Sequence, residues 1–305
     1  MKVIVTGSNG LVGRALTGQL LAEGHEVTTL VRSGSRSTGE EGVRPARWDP
    51  AADSIDAAAL EGHDAAVHLA GEPIAEGRWD DEKKRRIRES RVRGTRLLAE
   101  TLAKLERKPA VLVSASATGF YGNRGEETLT EESASGDDFL SEVCREWEKA
   151  TLPASQAGVR VVHLRFGIIL SRKGGALPKM LTPFKLGAGG RIGSGRQYWS
   201  WISLDDAVGA IRHALSEERL RGPVNAVAPR AVTNAEFTST LGRVLGRPTI
   251  FPVPAFAARL AFGEMADALL LGGQRVEPRR LAESGYAFAH PELEGALRHA
   301  LSRDP

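Results

Sequence analysis

Near its start the chain reads Val3-Ile4-Val5-Thr6-Gly7-Ser8-Asn9-Gly10-Leu11-Val12-Gly13. A β-branched run is followed at once by three glycines at a spacing of three. No other stretch constrains the fold as tightly. Val3-Ile4-Val5 reads as a short buried strand. Leu11 to Glu23 carries apolar residues at positions 11, 12, 15, 16, 20 and 21. That is helical spacing, and Gly24 ends the helix. The glycines therefore occupy a strand–turn–helix context. There, glycine lets the chain turn sharply and brings backbone N–H groups close to a pyrophosphate; Gly13 lets the helix pack close to the strand. The helix N-terminus adds about half a positive charge facing that anion. A dinucleotide site at Gly7, Asn9, Gly10 and Gly13 is the expectation.

The same alternation continues along the chain. Glu26–Val31, Asp64–Leu69, Ala110–Val113 and Val159–Leu164 read as further strands, and residues 80–107 and 137–157 between them read as helical. Strands alternating with helices imply an α/β fold: a doubly wound parallel sheet of the Rossmann type, covered on both faces. Residues 172–196 are rich in glycine and read as a long loop that could fold over a ligand. Ser203–Leu215 then reads as a helix and Val224–Val227 as a late strand. Beyond Thr233, short helical segments broken by Pro248, Pro252, Pro254 and Pro278 suggest a small helical lobe. The division expected is a cofactor domain over 1–170, with 203–230 returning to it. Residues 171–202 and 231–305 form a substrate lobe.

The end of the second strand bears on the choice of cofactor. NAD-preferring sites place an acid there to bind the ribose 2′-hydroxyl. This chain places Arg32, followed by Ser33 and Arg36. An arginine grips a 2′-phosphate by charge-assisted hydrogen bonds, so NADP(H) is expected over NAD(H).

Further motifs follow. They are His68-Leu69-Ala70-Gly71, Ser114-Ala115-Ser116, Tyr121-Gly122, Leu164-Arg165-x-Gly167 and Trp201-Ile202-Ser203-Leu204-Asp205-Asp206. Beyond them lie Asn225-x-Val227-Ala228-Pro229, Thr233-Asn234-x-Glu236-Phe237 and Gly273-Gln274-x-Val276-x-Pro278. With the glycine loop, these resemble the extended short-chain dehydrogenase/reductases, and most of all their atypical sugar-nucleotide epimerase-like subgroup. The resemblance covers nearly the whole chain. It implies that Leu11 and Val12 approach the pyrophosphate and that His68, Leu69 and Ala70 line the cofactor groove. It also makes Asp49, Arg91 and Arg165 candidate cofactor contacts. Asp49 also suits a strand-end turn, and Arg91 a solvated helix face. Extended relatives often form homodimers, so a homodimer is a further expectation.

One departure matters most. The family at large uses a Tyr-x-x-x-Lys pair with a nearby serine, the lysine lowering the tyrosine pKa while the tyrosine exchanges a proton. The three tyrosines here, Tyr121, Tyr198 and Tyr286, are followed four residues later by Gly125, Ile202 and His290. The pair does not exist. Setting Glu148 at the family's downstream acid puts Leu140 and Cys144 at the two positions. Ser116 and Tyr121 are then the remaining catalytic candidates, although both types also serve backbone turns after strands. Two functions stay open: an NADP-dependent oxidoreductase or nucleotide-sugar epimerase, and a non-catalytic NADP(H)-binding regulator or redox sensor.

On the substrate side, Lys185, Arg191, Gln197 and Trp201 are candidates, because cations suit a phosphate and a tryptophan suits a sugar face. Gln274 and Arg275 join them on resemblance. The tryptophans also suit core anchors. Other classes recede. With 41% hydrophobic and 26% charged residues the chain is an ordinary globular one. Its apolar runs are too short for a membrane span. Met1 leads straight into the first strand, so no secretory leader is expected. The single cysteine, Cys144, fits a reducing cytoplasm and no Cys-built metal site; no metal is expected. Residues 83–96 hold eight basic side chains, but without stacking aromatics they read as a solvated helix face, not a nucleic-acid site.

Overall fold

Val3, Ile4 and Val5 are fully buried in the middle of an eight-stranded sheet. The computed structural model describes residues 1–32 and 42–302, so Ser33 and Arg36 lie outside the described residues. In chain order the first strands are β1 (Lys2–Thr6), β2 (Glu26–Val31), β3 (Val43–Asp49), β4 (Ser54–Ile55), β5 (Ala65–His68) and β6 (Val111–Ala117). Across the sheet the order is Gly222–Ala226, Arg160–Phe166, β6, β5, β1, β2, β3, β4. Every adjacent pair is parallel except β3–β4. The chain steps from β1 to β2 and β3 on one side, then crosses to β5 and β6 on the other. The crevice above the C-terminal ends of β1 and β5 is therefore the switch point where such sheets bind ligands.

The period of two along β1 divides the interior. Val3 and Val5 join Leu16 and Leu20 of helix α1 (Leu11–Ala22), with Ala207, Ile211 and Ala214 of the helix Leu204–Ser216. Ile4 points the other way, to Leu98 and Leu102 of helix α2 (Asp81–Lys104) and to Leu112. Each such side chain contributes about 1.5–3 kcal/mol when fully buried, so both faces of the central strand anchor the sheet.

Helix α2 carries the basic stretch. Asp80 caps it by accepting the Lys83 N–H at 2.7 Å. Lys83 is buried against Glu72 at 2.8 Å, Arg86 reaches Glu82, and Arg88 reaches Glu142 on helix α3 (Phe139–Lys149) at 2.6 Å. These cations are largely occupied within the protein.

The glycine-rich segment differs from its reading as a loop: Leu177–Lys185 is a helix. Leu177, Leu181 and Phe184 recur at helical spacing and enter a third core with Trp199, Trp201, Phe237, Leu241 and Leu297. Pro178 sits in the first turn, where its missing N–H costs nothing. That proline and Pro183 conceal the pattern in the sequence. Past residue 233 the chain is mainly helical, with α-helices at Asn234–Leu245, Ala255–Phe262 and Leu293–Ser302. No described helix is long and apolar enough to cross a membrane.

Candidate functional site

The turn after β1 is built on close backbone approach. Gly7 has φ +69°, and its carbonyl accepts the Gly10 N–H at 2.9 Å. A Cβ at Gly7 would come within 2.7 Å of the Leu69 carbonyl carbon, and one at Gly13 within 2.2 Å of the Gly7 oxygen. The loop thus presses the ends of β1 and β5 and the start of α1 together. Asn9 and Gly10 are exposed at its tip, and Leu11 and Val12 are half-buried. Helix α1 opens with no side-chain cap and no acid in its first turn. Helices α2 and α3, by contrast, are capped by Asp80 and Asp138. The first N–H groups of α1 therefore lack the side-chain partner that the other two helices have. Gly174 and Gly175 lie against the Leu11 side chain, bringing the glycine-rich segment beside this loop. Arg32 is exposed at the end of β2.

His68 does not face the groove. It is fully buried, with Nδ1 2.8 Å from Thr6 Oγ1 and Nε2 2.8 Å from Thr95 Oγ1. Burial pushes its pKa down to about 4, so it is a neutral brace between β1, β5 and α2. Thr6 Oγ1 also accepts the N–H groups of Leu69 and Ala70 at 3.1 and 3.2 Å, which fixes the crevice wall. Asp49 Oδ1 accepts the N–H groups of Ala51 and Ala52 and so closes a strand-end turn. Arg91 Nη1 donates to the carbonyls of Glu72 and Ile87 at 3.1 Å, and its guanidinium lies 5.0 Å from the Trp147 ring. A methyl group at Gly71 would approach Arg91 Cζ to 3.3 Å. The guanidinium thus borders the end of β5.

The catalytic candidates meet a buried polar chain. Ser116 Oγ donates to Glu148 Oε1 at 2.7 Å. Arg165 binds the same carboxylate twice, at 2.8 Å each, and donates to Tyr121 Oη at 3.0 Å. Its guanidinium also covers the Phe120 ring at 3.4 Å. Tyr121 Oη donates to Asn225 Oδ1 at 2.7 Å. Tyr121 is fully buried, and burial raises its pKa even with Arg165 alongside. The phenol is enclosed and held between Arg165 and Asn225. Arg165 is likewise spent on Glu148 and Tyr121, because a guanidinium this buried must be paired. It is not a cofactor contact. Ser116, 3% exposed, sits at the end of β6. Leu140, Cys144 and Glu148 follow one another at one-turn spacing on α3, and the Cys144 thiol is pushed up to about 12 by burial. It is inert as a nucleophile. Glu148, at the centre of this polar chain, shares one face of α3 with Leu140 and Cys144, a spacing visible in the sequence.

The substrate candidates scatter. Trp201 is 1% exposed in the third core, and its Nε1 donates to the Arg230 carbonyl at 3.1 Å. It is a core anchor, not a sugar platform. Gln197 Nε2 donates to the carbonyls of Ile192 and Leu270 and ties the loop at Ile192 to the helical turn Asp267–Leu271; its amide is committed to the backbone. Lys185 and Arg191 are exposed. Gln274 donates its N–H to the Tyr198 carbonyl at 3.0 Å, and Arg275 lies over the Tyr198 ring at 5.3 Å.

Comparison with known proteins agrees with this geometry. The NAD dependent epimerase/dehydratase family matches residues 3–226, and a domain of unknown function (DUF1731) matches residues 253–300. An epimerase family protein of Mycobacterium bovis, Mb2239, is 43% identical over 301 residues, covering 99% of this chain and 98% of that one. The crystal structure of the human epimerase family protein SDR39U1 with NADPH superposes with a TM-score of 0.89 at 38% identity, covering 99% of this chain and 100% of that one. A nucleoside-diphosphate sugar epimerase from Corynebacterium glutamicum gives 0.80 at 43% identity, covering 99% of this chain and 58% of that one. A glycine crevice at the switch point, matched over most of its length by one family, places this chain among the NAD dependent epimerases/dehydratases, in the atypical extended short-chain dehydrogenase/reductase branch.

Proposed function

We propose that the chain binds NADP(H) in the crevice above Gly7, Asn9, Gly10, Leu11, Val12 and Gly13, and uses it in an atypical oxidoreductase or epimerase reaction on a nucleotide-sugar-type substrate. The observation that carries the reading is the start of α1, which has neither side-chain cap nor acid, beside loops that a single Cβ would block. That cradle fits a pyrophosphate. The exposed Arg32 at the end of β2 fits a 2′-phosphate. The NADPH-bound human relative supports the same cofactor, and the name of the Corynebacterium relative supports the substrate class. Bound NADP(H) supplies or accepts the hydride. Ser116 with Glu148 is the proton-handling pair, because Ser116 lies at the end of β6 and its hydroxyl proton already points at a carboxylate.

A second reading is a non-catalytic NADP(H)-binding regulator. The burial of Tyr121 favours it, since that phenol is held inside the protein by Arg165 and Asn225.

Titration with NADPH and NADH by nicotinamide fluorescence, followed by UDP- and dTDP-sugars, separates the readings. Tight NADPH binding with nicotinamide turnover that Ser116→Ala removes supports the enzyme. Tight binding with an inert nicotinamide supports the regulator. Failure to bind either nucleotide overturns both.

A further inference from the structure

Away from the crevice, three metal-ligating side chains converge from three separate elements. Asp205 stands in the first turn of the helix Leu204–Ser216, His290 in the segment before the last helix, and His299 within Leu293–Ser302. Asp205 Oδ2 lies 2.6 Å from His299 Nε2 and 3.6 Å from His290 Nε2. The two imidazoles stack at 4.1 Å with 28° between their planes. All the donor atoms fall within 4.8 Å of one another, and all three residues are partly buried. We propose that Asp205, His290 and His299 bind one divalent transition-metal ion of the zinc class, which ties the C-terminal helix to the helix on the sheet.

The supports of the site are already fixed. The neighbouring Asp206, 1% exposed, accepts the N–H groups of Ala289 and His290 at 2.7 and 3.0 Å and the Ser203 hydroxyl at 2.7 Å. It holds the His290 backbone against the start of the helix. Pro291 further restricts His290 to extended conformations. His299 is held through Ala296 and Leu297, which lie in the third core. Ligands seated on rigid elements lose little freedom on binding.

The chemistry selects the ion. Two imidazole nitrogens and one carboxylate oxygen make a borderline donor set that suits zinc, whereas calcium and magnesium seek oxygen. With bonds of about 2.0–2.1 Å, tetrahedral ligands stand about 3.3 Å apart. The 3.6 Å separation to His290 already matches that spacing. The His299 separation must open slightly from 2.6 Å. Water completes the fourth position.

The test uses the full chain, free of any histidine tag and stripped by chelator. Zinc chloride is titrated by calorimetry, and cobalt(II) is followed by visible absorption. One equivalent of zinc is expected to bind, with cobalt bands of a four-coordinate site. A Tm rise of about 5 °C is expected at a hundredfold excess over Kd. His290→Ala and His299→Ala should each weaken zinc by about a hundredfold. His290→Gln and His299→Gln serve if the alanine variants do not fold, with NADPH binding as the check on folding. Absence of a one-equivalent zinc event, or zinc binding unchanged in both histidine variants, overturns the site.

Discussion

Arg165 holds both carboxylate oxygens of Glu148, Nε to Oε1 and Nη2 to Oε2, each at 2.8 Å. The pair joins the strand Arg160–Phe166 to α3. Arg165 is 3% exposed. Truncating Glu148 to alanine leaves a buried guanidinium without its counter-charge, which costs about 3–5 kcal/mol. Replacing both partners, Glu148→Leu with Arg165→Met, should recover most of that loss, because no charge is left stranded. Urea denaturation of the single and double variants decides it. A single variant as stable as the parent would show that the pair bears no load.

The glycine loop gives a sharper prediction. A Cβ at Gly13 would stand 2.2 Å from the Gly7 carbonyl oxygen. Both groups are backbone-fixed, so the loop must move. Gly13→Ala should therefore cost about 1–3 kcal/mol in strain. Felt in the bound loop, that is about ten- to a hundredfold in NADPH affinity. Gly18→Ala on the same helix meets nothing within 4 Å and should leave binding unchanged. Fluorescence titration compares the two; equal affinities would refute the close-approach account.

Cofactor preference should reside in Arg32. A charge-assisted hydrogen bond to the 2′-phosphate is worth about 1.5–3 kcal/mol, or about one to two factors of ten in Kd. Arg32→Glu should weaken NADPH by at least that much and leave NADH unchanged or improved, since an acid suits the 2′-hydroxyl. An NADPH/NADH ratio that does not move would place the discrimination elsewhere.

The central sheet was legible because its strands are apolar runs buried on both sides and its helices keep a helical period. Val3-Ile4-Val5 and Leu11–Glu23 carried those signals without interruption. The strand Val43–Asp49 did not, because Pro45 and its arginines interrupt the run and only Ala46 and Trp48 turn inward. The helix Leu177–Lys185 was hidden by two prolines among glycines. Within the site, the glycine loop was readable because it demands a local backbone shape. The roles of His68, Tyr121, Arg165 and Trp201 were not, because each is decided by partners 17 to 104 positions away. Sequence motifs offered His68 and Arg165 as cofactor contacts, Tyr121 as a catalytic residue and Trp201 as a substrate residue, but a motif does not say which way a side chain turns.

His68 should make stability fall in mild acid. Its native pKa, about 4, lies below the ordinary 6.5 of an unfolded histidine. Above about pH 6.5 neither state is protonated, and the stabilisation from Thr6 and Thr95 is fully present. As pH falls, the unfolded chain takes up a proton that the buried ring refuses, so stability is lost progressively until about pH 4. At 1.36 kcal/mol per pH unit this sums to about 3 kcal/mol. His163, also shifted down by burial, adds in the same direction. His68→Asn keeps a donor and an acceptor between the two threonines but does not titrate. Chemical denaturation at pH 7 and pH 4.5 should therefore show the parent losing more stability than the variant, by about 2–3 kcal/mol. Parallel losses in the two proteins would mean that His68 is protonated in the native state and is not the neutral brace between β1 and α2.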